Sequence, residues 1–227
     1  MTESEIYAQF ADACESRANT YQFLSRLYQS EIDEDLLNEL KHMSFPYGSG
    51  NAKLDEGYMR MAKFMSNTWP NTLTDLAIDY VRSFIGHGND SYSCAYPYES
   101  VYTSRERLMM MGARDMVLAI YRSQNLDKRE SWKEGEDHVA VELEFMATMA
   151  KRSADAFRAG DAEEAEAALT VQRNFLTDHL LAWVPMMTAD LARFAKTDFY
   201  LGLAYVTEGF LSIDDEFFAE LFEENDD

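Results

Sequence analysis

The sequence predicts an all-α fold, a single globular domain of roughly ten helices spanning residues 1–227. At least eight stretches place apolar residues at the 3.6-residue period of a buried helix face. No stretch alternates with period two for long enough, beside an Asn-Gly or Asp-Gly turn, to argue for a sheet. A hydrophobic content of 47%, with 13% aromatics, is enough to fill one core. No self-similarity at the period of a helical repeat array is visible, so a globular bundle is expected.

The N-terminal helices are expected within residues 1–85. From Ile6 the positions Phe10, Ala13, Cys14, Arg17, Tyr21, Leu24 and Tyr28 keep helical phase, with one arginine inside the stripe. Asp33 can cap a short second helix carrying Leu36, Leu37 and Leu40, which ends before the turn-rich run 45–50. Leu54, Tyr58, Met61 and Met65 mark a third. Trp69-Pro70 stops it, because a residue before proline is pushed out of helical geometry, and Thr72 can cap a fourth helix with Leu76, Tyr80 and Phe84 on one face. Gly86, Gly88, Asn89 and Asp90 then open a loop expected to run to residue 103.

A helix is expected from 104 to 122, followed by a hinge near 124–138 in which Ser131 and Glu134 have capping-box spacing. After Asp137, the residues Val139, Leu143, Met146 and Ala150 form the apolar stripe of another helix. The run 158–161 links it to the cleanest pattern of the chain, Ala165, Ala168, Leu169, Gln172, Leu176, His179, Leu180 and Trp183, which Pro185 ends or kinks. Three further segments, around Leu191, around Phe199 to Phe210 and around Phe217 to Phe222, complete the count. The acidic C-terminal residues should fray.

Forty-one acidic residues against 20 basic ones give a formal charge of −21, which repels phosphate backbones and anionic lipid and attracts cationic ligands. Nucleic acid is excluded as a partner on this ground. Cys14 and Cys94 are isolated, with no CxxC, which fits a reducing cytoplasm. The N-terminus lacks the basic start and apolar run of an export signal, and no stretch approaches the ~20 apolar residues of a membrane span.

Chemistry-bearing patterns are sparse. His138 and Glu142 are four residues apart on one helix face, which is metal-ligand spacing and equally the spacing of a solvated or capping pair. His42, His87 and His179 stand singly, so no ligand set is complete and neither metal nor cofactor is expected. Gly86-His87-Gly88 is too short for a phosphate loop, no Gly-x-Ser-x-Gly is present, and Cys94 lacks a local partner that would activate it. The run Met109-Met110-Met111 is either an adaptable surface or core on one side of a helix. Tyr92, Tyr96, Tyr98 and Tyr102 gather around Pro97; such rings either fill the junction between helical layers or recognise a peptide, and nearby acids would select a basic one.

Glu134-Gly135-Glu136-Asp137-His138, followed by the helix beginning at Val139, resembles the Glu-Pro-x-Asp-His segment of the TorD/DmsD/NarJ family, cytoplasmic chaperones that mature molybdenum redox enzymes. Leu76-Ala77-Ile78-Asp79-Tyr80 with Phe84, then Tyr96-Pro97-Tyr98-Glu99-Ser100-Val101-Tyr102, and downstream the run 175–185 with Phe199-Tyr200, are similar to that family's other segments in the same order over residues 70 to 211. Gly135 stands where the family usually has proline, so the loop before Asp137 is expected to be looser.

The resemblance implies an all-α, non-enzymatic chaperone. It would bind the twin-arginine signal peptide of an apo-form molybdopterin oxidoreductase and hold it back from export until the cofactor is loaded. By the same resemblance Asp137 and His138 belong to the hinge and signal-peptide region. Asp137, with Glu134 and Glu136, is expected to face the arginines, Pro97, Tyr98 and Tyr102 to take the apolar part, and Glu142 to belong to the same site. On that reading Asp137→Asn would weaken peptide binding by ~1.5–3 kcal/mol and change stability far less. The alternatives are a metal- or guanine-nucleotide-dependent enzyme and a structural assembly subunit of a reductase complex. A homodimer is an open alternative, and the identity of the client is not written in the chain.

Overall fold

Thr2 starts the first helix, α1 (Glu3–Gln29), with a capping box: its hydroxyl accepts from the Glu5 amide and the Glu5 carboxylate accepts from the Thr2 amide. This computed structural model describes residues 2–86, 93–109, 111–128 and 131–223. The expectations placed on His87, Gly88, Asn89, Asp90, Tyr92 and Met110, and on the acids after Glu223, lie outside these residues. Asp33 caps α2 (Glu34–His42) through the Leu36 amide, as the sequence predicts, and Asn51 caps α3 (Ala52–Ser66). The chain continues as α4 (Thr72–Tyr80) and a π-helical turn (Val81–Ile85), then α5 (Glu99–Thr103), α6 (Gly112–Ser123), α7 (Val139–Ala159) and α8 (Ala162–Phe175). A second π-turn (Leu176–Leu180), α9 (Leu181–Phe194) and α10 (Asp198–Glu223) complete it. The fold is all-α, and among the described residues no helix is long and apolar enough to cross a membrane.

The long helices pack pairwise: α1 lies along α7, α3 along α10, and α7 against α8. The apolar stripes read from the sequence meet here, with Tyr21, Leu24 and Tyr28 of α1, Val139, Leu143 and Met146 of α7, Trp183 of α9 and Leu203 and Val206 of α10 all buried in one core. The approach of α3 to α10 depends on residues without side chains. A Cβ added to Gly209 would stand 2.5 Å from the Leu54 amide nitrogen, and one added to Gly57 would stand 2.6 Å from that of Val206. Arg17, the one charge in the first stripe, is buried with it. Its guanidinium forms a two-pronged pair with Asp214 of α10, and Tyr21 donates to the same carboxylate at 2.6 Å.

Several boundaries differ from the sequence reading. The helix expected from 104 begins only at Gly112, because α5 stops at Thr103 and the Met111 amide turns back to donate to the Ser100 hydroxyl at 3.1 Å. Arg107 takes φ 53° within that reversal. The last five residues of the expected loop 86–103 are therefore helical. Ser131 and Glu134 cap nothing, since α7 starts at Val139 behind His138. Thr72 is the first residue of α4, not its cap, and its hydroxyl accepts from the Trp69 amide at 2.8 Å. Pro185 does not end a helix; it lies inside α9, which begins directly after the second π-turn. The three C-terminal segments resolve into the end of α9 and the single helix α10.

Candidate functional site

The two segments singled out in the sequence, 96–102 and 134–138, lie side by side. Tyr98 and His138 form an isolated antiparallel bridge, in which the Glu99 amide donates to the Asp137 carbonyl and the Val139 amide to the Pro97 carbonyl, both at 2.9 Å. Glu99 is the first residue of α5 and Val139 the first of α7, so two helices start from one bridge. Their free amide groups need acceptors. His138 serves its own helix, with Nδ1 accepting from the Ala140 amide at 3.1 Å. Asp137 serves the other one: its Oδ2 accepts from the Ser100 amide at 3.0 Å and from the Ser100 hydroxyl. Asp137 is fully buried, so the carboxylate expected to face a peptide arginine points inward and caps α5 from across the bridge.

Gly135 fits this arrangement. A Cβ there would stand 2.7 Å from Asp137 Oδ1, so the glycine at the usual proline position makes room for the buried carboxylate. His138 is neutral: burial holds its imidazole down to about 3, and its ring is held edge-on between Tyr98 (5.0 Å) and Trp132 (5.2 Å). Glu142 is also fully buried. Its Oε2 accepts from the Trp183 indole at 3.0 Å, and no donor reaches Oε1. His138 and Glu142 are thus neither solvated nor a ligand pair, each being spent on another partner. Among the described residues, no group of three or more His, Cys, Asp or Glu side chains is placed to hold a metal ion.

Sequence reasoning missed the groups that complete this interior. Glu99 is buried against the His179 ring, whose Nδ1 lies 3.0 and 3.2 Å from its two oxygens. Burial, and then the neighbouring Glu99, push the Glu142 carboxyl well above the usual range. The Tyr121 phenol is raised as well, by burial first and then by Glu142 and Glu99, and donates to the Glu136 carbonyl. The signal was present in the helical phase: Glu142 stands three residues after Val139 and four before Met146, inside the apolar stripe, and His179 stands in the stripe of its own segment.

Toward solvent the site is more open. Glu134 is exposed and accepts from the Tyr98 hydroxyl. Glu136 is buried but answered by Arg114 and Lys128, which hold its carboxyl below the usual range against the effect of burial. Tyr98 and Pro97 are mostly covered. Tyr102 is half-buried, stacked on Trp183 at 5.7 Å and donating to Asp190. The Ala95 amide donates to the Ser83 carbonyl at 2.7 Å, which ties this segment to the first π-turn. There Ile78, Val81 and Ile85, at i, i+3 and i+7, form an exposed apolar strip, with Glu31 beside Ile78 and Val81. Burial, then Glu31 and Glu134, raise the Tyr80 phenol to about 12.

A protein-family model described as the nitrate reductase delta subunit matches residues 51–189. Among curated relatives, a protein named Chaperone protein TorD from Vibrio cholerae serotype O1 (strain ATCC 39315 / El Tor Inaba N16961) is 27% identical over 217 residues, covering 92% of this chain and 95% of that one. Proteins of the same name from Vibrio parahaemolyticus serotype O3:K6 and Photobacterium profundum are 27% and 25% identical, covering 88% and 89% of this chain and 93% and 94% of theirs.

Proposed function

This chain belongs to the nitrate reductase delta subunit family, and from that premise we propose that it is a non-enzymatic chaperone for molybdoenzyme maturation. It binds the twin-arginine signal peptide of the apo-enzyme in the cytoplasm, before export. What supports the peptide reading is an exposed apolar strip with the Glu31 carboxylate beside it, together with the exposed Glu134 of the bridge region, in a chain of net charge −21. A twin-arginine signal has the matching chemistry, two adjacent cations followed by an apolar stretch. Glu134 is the acid of the bridge region free to meet an arginine from solvent, with Glu31 as a second. Glu136 is already neutralised, and Asp137, His138 and Glu142 support the site from inside. The strip Ile78, Val81 and Ile85 receives the apolar part, with the covered Pro97 and Tyr98 supporting the site from inside and Tyr102 bracing α5 against α9.

Titration calorimetry with a synthetic twin-arginine peptide tests this against the same peptide with both arginines replaced by alanine. Glu134→Gln should weaken binding of the arginine peptide about three- to tenfold, the range of a partly exposed charge pair, and leave the alanine peptide unchanged. Equal binding of the two peptides, or none of either, overturns the reading.

A further inference from the structure

Helix α6 is committed on its inward side and bare on the other. Ala113, Val117 and Tyr121 are buried, Tyr121 donates to the Glu136 carbonyl and Arg114 pairs with the Glu136 carboxylate, so the inward side is fixed to the bridge region. The outward side consists of Gly112, Asp115, Met116, Ala119 and Arg122, all exposed and all within about 120° of arc at the helical advance of 100° per residue. Met116 is 55% exposed, and Leu108 and Met109, in the reversal just before the helix, are 58% and 52% exposed. Large apolar side chains left in water so close together mark an interaction surface.

Charge indicates the occupant. The chain carries −21 overall, yet residues 104–123 hold four arginines (Arg105, Arg107, Arg114 and Arg122) against two acids (Glu106 and Asp115), a local positive excess that disfavours a cationic peptide. Apart from the field of Asp115 on Arg114, the Asp115 and Arg122 side chains have no hydrogen bond or ion pair among the described residues. They stand seven residues apart, two turns and roughly 10 Å along one edge of the outward face, with Ala119 between them. A two-fold axis across the helix beside Ala119 reverses the helix direction and keeps its edges, so Asp115 of each copy comes opposite Arg122 of the other.

We propose that this face of α6 binds the same face of a second copy of the chain, giving an antiparallel α6–α6 dimer closed by two Asp115–Arg122 pairs across the two-fold axis. The small Ala119 side chain lets the helices approach at their crossing, and Met116 of each copy packs beside it. The positive excess of each stretch lies in the negative field of the other copy, so the contact offsets the repulsion between two chains of charge −21. The dimer uses no residue assigned above to the peptide site, and its test needs no peptide.

Sedimentation equilibrium of the full chain over a wide concentration range tests the proposal, at about 0.15 M salt, where screening beyond ~8 Å damps the net repulsion and leaves contact pairs in place. Wild type should show a monomer–dimer equilibrium. Asp115→Arg and Arg122→Asp each set like charges opposite one another twice and should weaken it about tenfold or more, while the double swap restores the pairs and returns to within about threefold of wild type. Met116→Glu should leave the chain monomeric. Because the swaps also oppose the α6 dipole, circular dichroism checks each fold, and Ala119→Cys gives a reading that leaves charge untouched. Cys14 and Cys94 are buried, so the introduced thiol is the accessible one, and a short bismaleimide should join it to its counterpart in the second copy faster than it joins Thr170→Cys, exposed on α8. A wild-type chain that stays monomeric, a dimer indifferent to Met116→Glu, a folded double swap as dissociated as its single parents, or equal cross-linking at the two cysteine positions overturns the proposal.

Discussion

Replacing Asp137 by asparagine separates a buried supporting carboxylate from a peptide-facing one. The side chain is fully buried and Oδ2 accepts twice from Ser100, through the amide at 3.0 Å and through the hydroxyl. Hydrogen bonds to a charged acceptor contribute about 1.5–3 kcal/mol and neutral ones about 0.5–1.5, so losing the charge on two bonds costs roughly 2 kcal/mol. The new amide nitrogen occupies the place of Oδ1, which no donor reaches, and as a donor without a partner it adds about 1–3 kcal/mol. The expected net loss is about 3–5 kcal/mol, a fall in Tm of roughly 6–20 °C for a chain of this size. Guanidinium denaturation followed by far-ultraviolet circular dichroism measures it, with an unchanged m-value showing that stability alone has moved. An Asp137→Asn protein within about 0.5 kcal/mol of wild type, but with reduced affinity for the arginine peptide, would refute the inward-facing cap and restore the carboxylate to the ligand surface.

Two other perturbations test the frame around the site. His138 has its folded pKa pressed down to about 3 from 6.5, so it contributes stability above pH 6.5 that is lost as pH falls toward 3, at up to about 1.4 kcal/mol per unit. His138→Asn keeps an acceptor for the Ala140 amide and should remove that acid-side slope in urea unfolding series between pH 4 and 7; an unchanged slope would mean that the ring charges without cost. Gly209→Ala drives a Cβ to 2.5 Å from the Leu54 amide nitrogen and should destabilise the protein by about 1–3 kcal/mol through the separation of α3 from α10, read as a lowered denaturation midpoint. A midpoint equal to wild type would show that the two helices shift apart freely.

The long helices were legible because each buries one face on a neighbour, and period alone reports that. The stretch 104–111 was not, since Ser-Arg-Glu-Arg-Leu-Met-Met-Met has good helical propensity and is held otherwise by a contact with Ser100. Period also cannot report a cap supplied from another segment, and so nothing in the pattern assigned Asp137 to α5. The two motifs of the site were found as sequence strings, but their bridge joins residues about forty apart and lies in the backbone, where side-chain pattern is silent. Arg17 stood out in the first stripe as an exception. Its partner Asp214 sits at the other end of the chain, beyond any local spacing rule.

The second π-turn sets the azimuth of everything after it. Each residue of an α-helix advances the chain by about 100°, and a π-turn inserts one more residue than the regular winding holds. Removing a single residue between 176 and 180 would restore regular winding from α8 into α9 and swing every later side chain around the axis by that angle. Trp183 would then leave Glu142 and Tyr102 together, while the stripe that buries Val184, Met187 and Leu191 would turn away from the core. The irregular turn thus acts as a phase shifter between two halves of one long rod: α8 is registered on α7, and α9 on α5 and α10.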